Sequence, residues 1–283
     1  MPEDDVKWML ALVLTAGALL GPGAASATAV DEIPRKGGDV SWPNCPKGVG
    51  IPSRKGQDQP LPKKHAKFAI VGLTNGPGFY PNPCIDSQVA KLRARGLYLG
   101  VYAMTTFPKR TQIAQYGTAG PWPDSGRRNR LRNTGYAQAM FNIDTMKRVG
   151  LAAKFIWVDV EHYPVAPWTG NRARNKAVLD GAVRGYREAG LDVGFYTSPG
   201  PWKEIIGTAR YGLPEWRTAG GHPWSDTGYP DARRMCRATS VQGGTVLVGQ
   251  WWDTKRDYDV LCPAARSAGM VARLFMAPGE YAR

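Results

Sequence analysis

An α/β fold built on a parallel sheet is what the sequence predicts, and two observations carry that reading. Apolar runs of strand length alternate with segments of helical periodicity between residues 38 and 197. The helical segments stop at Gly96, Gly150 and Gly190, glycine being the residue that most readily takes the left-handed backbone at a helix end. Strands joined through helices run parallel, with the helices packed outside. Five such units do not by themselves separate a closed barrel from an open doubly wound sheet.

Taken in order, the chain begins with a targeting pattern. The apolar stretch Trp8–Leu20 leads into Gly21-Pro22-Gly23 and then Ala25-Ser26-Ala27, a small-x-small cleavage site. The stretch is too short for a membrane span. Its flank, Pro2 to Lys7, is acidic where such signals are usually basic. Residues 1–27 are expected to be a cleaved signal peptide and 28–36 a polar leader. Residues 37–283 show no repeat and no linker and are expected to form one domain.

Gly38–Trp42 is a short first strand, followed by a long Pro- and Lys-rich loop to Lys67. Phe68–Leu73 is a second strand. Asp86–Arg95 carries Val89 and Leu92 at helical spacing. Leu97–Ala103 is the third strand. Residues 107–134 are rich in Gly, Pro and Arg and are expected to be a surface loop. Tyr136–Val149 is the next helix, then the strand ending at Glu161, the helix Asn175–Ala189 and the strand Val193–Thr197. Beyond Thr197 the helical pattern fades. Thr245–Trp252 reads as a strand, Asp253–Arg256 as a turn and Tyr258–Leu261 as a returning strand.

The chain of 283 residues is 43% hydrophobic and 10% aromatic, values of a globular protein with a core. Its formal charge is +14, and loss of residues 1–27 removes one lysine and three carboxylates to leave +16. Such a charge attracts polyanions. The cations are dispersed except at Arg127–Arg132, expected in a solvated loop, and no nucleic-acid-binding motif is present. An anionic cell envelope is the expected partner, and nucleic acid is not. No Gly-rich phosphate loop follows the first strand, and no cofactor is expected.

Cys45, Cys84, Cys236 and Cys262 match no zinc spacing, and export favours disulfides. Of the three possible pairings, Cys45 with Cys84 and Cys236 with Cys262 is preferred, because each staples neighbouring segments. His65, His162 and His222 are scattered, and no metal site is expected.

The chemistry concentrates in Phe155–Glu161, a buried strand that ends in two carboxylates. Residues i and i+2 of a strand share a face, so Asp159 and Glu161 stand together and split each other's pKa values. Two such carboxylates are the usual equipment for cleaving a glycosidic bond. Asp39, Tyr102 and Tyr196 sit near other strand ends, and Asp259 follows Gln250-Trp251-Trp252. In a parallel barrel these ends meet at one mouth.

In this order the residues resemble the N-acetylmuramidases of glycoside hydrolase family 25. Asp39-Val40-Ser41 is similar to the family's first strand. Leu97–Tyr102, after Ala94-Arg95-Gly96, is similar to its third. Val158–Glu161 resembles its Asp-x-Glu strand, and Gly194–Thr197, Gln250-Trp251 and Tyr258-Asp259 resemble its late strands. The run from Asp39 to Cys45 resembles a secreted actinobacterial branch. The resemblance implies an irregular TIM-like barrel, five βα units followed mainly by β-strands. It implies an acidic site of Asp39, Asp159, Glu161 and Asp259 with Glu161 as proton donor. It also implies peptidoglycan as substrate, cut between N-acetylmuramic acid and N-acetylglucosamine. Tyr102, Tyr196, Gln250, Trp251 and Trp252 are expected to bind sugar.

The chain departs from the family at Thr74-Asn75-Gly76, where Thr-Glu-Gly is usual, and in the 45–67 and 107–134 insertions. An altered second strand leaves a second reading, a non-catalytic envelope glycan-binding protein on the same barrel. The expectation is a secreted, monomeric glycosidase.

Overall fold

The computed structural model describes residues 33–162, 167–224 and 227–281. The expected signal peptide lies outside the described residues. The chain opens with β1 (Lys36–Val40) and a small hairpin of β2 (Gly50–Ile51) and β3 (Arg54–Lys55). Six further parallel strands follow: β4 (Phe68–Gly72), β5 (Tyr98–Met104), β6 (Phe155–Asp159), β7 (Asp192–Tyr196), β8 (Glu215–Gly221) and β9 (Val246–Trp252). An antiparallel strand, β10 (Asp257–Leu261), pairs with both β9 and β1 and closes an eight-stranded barrel.

Alternation along each strand divides the core in two. The outward residues Val71, Val101, Ile156, Val158 and Phe195 pack beneath the helices. These are α1 (Ile85–Ala94), α2 (Arg110–Tyr116), α3 (Gly126–Arg148), α4 (Arg172–Glu188) and α5 (Pro199–Ile205). Two later helices are α6 (Tyr229–Met235) and α7 (Ala268–Leu274). The inward residues Phe68, Ile70, Phe155, Trp157 and Trp216 fill the barrel, and Leu274 and Phe275 pack against them. The Phe275 ring lies 5.0 Å from that of Phe68, the first residue of β4, so the end of α7 stops the N-terminal end of the barrel. Room for the Trp157 ring comes from Gly194 on the neighbouring strand, where a Cβ would lie 2.5 Å from it.

Two expectations change, and one strand, β8, was not foreseen. The 107–134 segment is not a loop throughout: it contains α2 and the first turns of α3. The buried face there is Leu131, Asn133, Thr134 and Gly135, too small and polar to show an apolar period. Arg127–Arg132 therefore stands on a helix, with Arg130 paired to Asp124 at 2.7 Å. Helices also persist after Thr197, as α5, α6 and α7. Finally, β8 carries no apolar run. Its outward Glu215 and Arg217 are buried and bonded at 3.1 Å, and Glu215 also accepts from the backbone N–H groups of Val241 and Gln242. The parallel strands number seven.

Both disulfides pair as expected, with Cα separations of 5.6 Å for Cys45–Cys84 and 5.3 Å for Cys236–Cys262. The first ties the β2–β3 insertion to the start of α1.

Candidate active site

A cleft of about 140 Å³ opens where the parallel strands end, and four carboxylates line it: Asp39, Asp159, Glu161 and Asp257. Asp39 comes from β1, Asp159 and Glu161 from the end of β6, and Asp257 from the start of β10. Asp159 is 4% exposed and Asp39 7%, whereas Glu161 and Asp257 are only partly covered. Tyr102, Tyr196, Trp216 and Trp252 supply aromatic walls. Trp252 is 38% exposed and forms an open edge on which a sugar face can stack.

The acids are held by a short polar chain. Gln250 Nε2 donates to Asp39 Oδ2 at 2.8 Å, and the Tyr196 hydroxyl donates to Gln250 Oε1 at 2.8 Å. Trp216 Nε1 donates to Asp259 Oδ1 at 2.9 Å. Asp39 and Asp259 lie within hydrogen-bonding reach of each other, and Asp259 Oδ2 has no donor among the described residues. Asp159 Oδ1 is likewise buried without a donor.

Burial pushes all five carboxyls above their ordinary range. It is the largest cause for Asp39, Asp159, Glu161, Asp257 and Asp259. Negative neighbours add to it, Asp259 at Asp39 and Glu161 at Asp159. Glu161 is raised by burial, against the charges of Arg54 and His162, which hold it down. The expected contribution of neighbouring acids to Glu161 is thus supplied by desolvation instead. Asp159 and Glu161 are close enough that the pair, rather than either residue, retains a proton as pH rises.

Two expected positions are corrected. Asp259 is fully buried and lies beneath the cleft; Asp257, two residues earlier, lines it. β10 runs opposite to its neighbours, so its first residues stand at the mouth. Trp251 does not face the cleft. It is 4% exposed and stacks on Tyr258 at 5.0 Å on the outer side of the wall. With Tyr229 the two line a separate cavity of about 220 Å³. Alternation along β9 sends Gln250 and Trp252 inward and Trp251 outward. Asn75, at the family's usual Glu, is 1% exposed and packs against Gly50 of the hairpin.

The sequence reading missed Asp257, Trp216, Ser41 and Arg54. Asp257 was recoverable from the i, i+2 rule applied to Asp259. Arg54 was not, because its place depends on the fold of the insertion. Elsewhere His162 Nε2 bonds Glu204 Oε2 at 2.7 Å. No group of three or more metal-ligating side chains occurs among the described residues, and no described helix is long and apolar enough to cross a membrane.

The barrel, closed by seven parallel strands and one antiparallel strand, thus carries a carboxylate cluster and aromatic walls at the C-terminal mouth of its parallel strands, the end where active sites of such barrels form. Comparison with known proteins agrees. Residues 127–216 match the profile of a family described as "Lysozyme-like protein 1". No curated protein matches. Among solved structures, the chain is similar to a bacterial lysozyme from Streptomyces coelicolor, at 17% identity over 87% of this chain and 98% of that one, with a TM-score of 0.51. It is similar to a muramidase from Acremonium alcalophilum, at 14% identity over 85% and 98%, TM-score 0.51. A family 25 glycosyl hydrolase from Bacillus anthracis follows at 15% over 87% and 95%, TM-score 0.50. At these identities the likeness is one of fold, and the fold is that of the family 25 lysozymes.

Proposed function

We propose that this protein is an exported glycosidase that hydrolyses the β-1,4 bond between N-acetylmuramic acid and N-acetylglucosamine in peptidoglycan. The observation that supports it best is the meeting of Asp39, Asp159 and Glu161 in one partly covered cleft. Solved structures of the same fold are described as lysozymes and muramidases. The two disulfides suit an oxidising compartment, as does the expected signal segment.

Glu161 is the general acid. It is the more accessible member of the Asp159–Glu161 pair, and its raised pKa lets it carry a proton to the leaving oxygen. Asp159 stands below it with an oxygen that no donor occupies. Once ionised, it faces the positive charge that develops as the glycosidic bond breaks. Burial favours the neutral form of Asp39, and Gln250, itself held by the Tyr196 hydroxyl, fixes its orientation. Tyr102, Tyr196 and Trp252 hold the sugars.

The test is Glu161→Gln against purified peptidoglycan, with products read by mass spectrometry. The variant should keep its fold and its cell-wall binding and lose at least about 100-fold in rate, the usual contribution of a positioned acid. If the parent protein binds the wall and releases no muramic-acid-terminated fragment, the non-catalytic glycan-binding reading replaces this one.

A further inference from the structure

A cavity of about 210 Å³ lies at the same end of the barrel as the acids. Its walls come from three neighbouring loops: Pro77 and Tyr80 after β4, Phe107, Pro108 and Lys109 after β5, and Pro167 after β6. Two of these walls are tied to the acid-bearing strand. Thr105 N–H donates to Asp159 O at 3.1 Å, and at about 3.8 Å per residue this keeps Thr106, also in the lining, within about 10 Å of that carbonyl. Trp168 Nε1 donates to Glu161 O at 3.1 Å, and Pro167 is its neighbour in the chain. The walls are also fixed to one another. Gly78 N–H donates to Thr106 Oγ1 at 3.0 Å. Gln138 of α3 holds Thr106 through both its N–H and its carbonyl. The Phe79 ring stacks on Tyr116 of α2 at 4.4 Å. The space is therefore set by the same insertion at which the chain departs from the family it resembles.

Its chemistry differs from that of the catalytic cleft. No carboxylate lines it, whereas four line the cleft. Three prolines and the half-buried Phe107 offer apolar faces. The side-chain oxygens of Thr106 and Gln112 already accept from the N–H groups of Gly78 and Lys109. A sugar ring placed here would leave hydroxyls without good partners, whereas small apolar side chains gain by burial. One cation, Lys109, stands exposed at the rim. Its ammonium is 5.8 Å from the centre of the Tyr80 ring, close to the limit of about 6 Å for such a contact, and one ring face occupies at most one of its three donors. The lining thus suits a ligand with small apolar groups and a carboxylate, which describes an acidic peptide better than a sugar.

We propose that this cavity is a subsite for the peptide that peptidoglycan carries beside the bond to be cut, with its small side chains against Phe107 and the prolines and a carboxylate on Lys109. The inference rests on the glycosidase reading of the cleft. It names the part of the substrate that the cleft itself does not hold.

The experiment measures binding without turnover, in the Glu161→Gln background. Three synthetic fragments of alternating N-acetylglucosamine and N-acetylmuramic acid, equal in length, serve as probes. One carries the peptide, one carries the peptide with its carboxylates amidated, and one has each lactyl group capped as a methylamide. The acidic peptide fragment should bind at least about 10-fold more tightly than the capped one, the scale of a charged hydrogen-bonded pair, with the amidated fragment between them. Lys109→Ala should make the acidic and amidated fragments bind alike, and Lys109→Arg should restore the difference, since it keeps the charge. Phe107→Ala should weaken both peptide fragments and leave the capped one within about 2-fold. Lys109 is exposed, so its variants test the proposal even where thermal unfolding shows that Phe107→Ala has loosened the loop. Equal affinity of the three fragments, equal weakening toward all of them in the Lys109 variant, or no binding of any fragment would overturn it. Hydrolysis by the Glu161-containing parent is scored separately. Cleavage without a peptide preference sinks this inference and keeps the hydrolase reading, and a peptide preference without cleavage does the reverse.

Discussion

Replacing Trp216 by Phe removes one hydrogen bond whose value depends on pH, and that dependence reports the charge on Asp259. Trp216 is 1% exposed. Its ring sits 4.8 Å from that of Tyr196, 5.7 Å from Tyr102 and 5.9 Å from Trp157. Its Nε1 donates to Asp259 Oδ1. A smaller ring at this packed position costs about 1–2 kcal/mol, less than full truncation of a Trp. The lost bond costs about 1 kcal/mol with Asp259 neutral and about 1.5–3 kcal/mol with it ionised. Burial raises Asp259, and Trp216 opposes the rise. A raised carboxyl contributes stability that is complete below its unfolded value of about 3.9 and is lost as pH rises through the folded value. Without Trp216 that folded value climbs further. The variant should therefore lose about 2–3 kcal/mol while Asp259 is neutral and about 2.5–5 kcal/mol once it is ionised. Urea unfolding of both proteins as pH is raised from about 4, the unfolded value, measures it. Parallel stability curves would refute the reading that Asp259 gains its charge while bonded to Trp216.

Hydrolysis should show a bell-shaped pH dependence of kcat/KM displaced above the ordinary carboxylate range, because burial raises both Asp159 and Glu161. The falling limb marks loss of the pair's last proton, and a limb at the ordinary Glu value of about 4.3 would contradict the site described. Gly181→Ala should destabilise the protein by about 2 kcal/mol or more. A Cβ there would lie 1.9 Å from the Arg132 carbonyl oxygen, and overpacking against backbone outweighs a helix-propensity gain of about 1 kcal/mol. Gly269→Ala in α7, where nothing lies within 4 Å, should be neutral or slightly stabilising by the same thermal or urea measurement.

Much of this barrel was legible because its strands β4, β5, β6 and β7 are buried on both faces and read as apolar runs between glycines. The closing elements were not. β8 places Glu215 and Arg217 on its buried outer face and satisfies them with each other and with the 240–242 loop, so no hydrophobic period marks it. The start of α3 is hidden for a related reason. Asn133 spends its side chain on the Gly117 and Trp122 carbonyls and the Trp122 N–H, and Gly135 lets the α4 backbone come within contact. At the site, Asp39, Asp159, Glu161, Tyr102 and Tyr196 were found by their places at parallel strand ends. Asp257 was missed, and Asp259 and Trp251 were misplaced, where strand direction and strand start had to be known first.

Strand direction also explains how the mouth holds its acids. On β6, which runs toward the mouth, the earlier residue of the i, i+2 pair is the deeper, so Asp159 is buried and Glu161 stands at the lip. On β10, which runs away from it, the order reverses, and Asp259 is buried while Asp257 stands at the lip. The two pairs thus form two tiers. The deep tier, with Asp39, is met by donors from Trp216 and Gln250, and burial favours its neutral forms, which lowers the charge that must be desolvated. The upper tier keeps some contact with water and remains able to exchange protons. An all-parallel barrel bearing the same sequence on its last strand would present Asp259 to the cleft and bury Asp257. The antiparallel closing strand is therefore what puts a second accessible carboxyl across the cleft from Glu161.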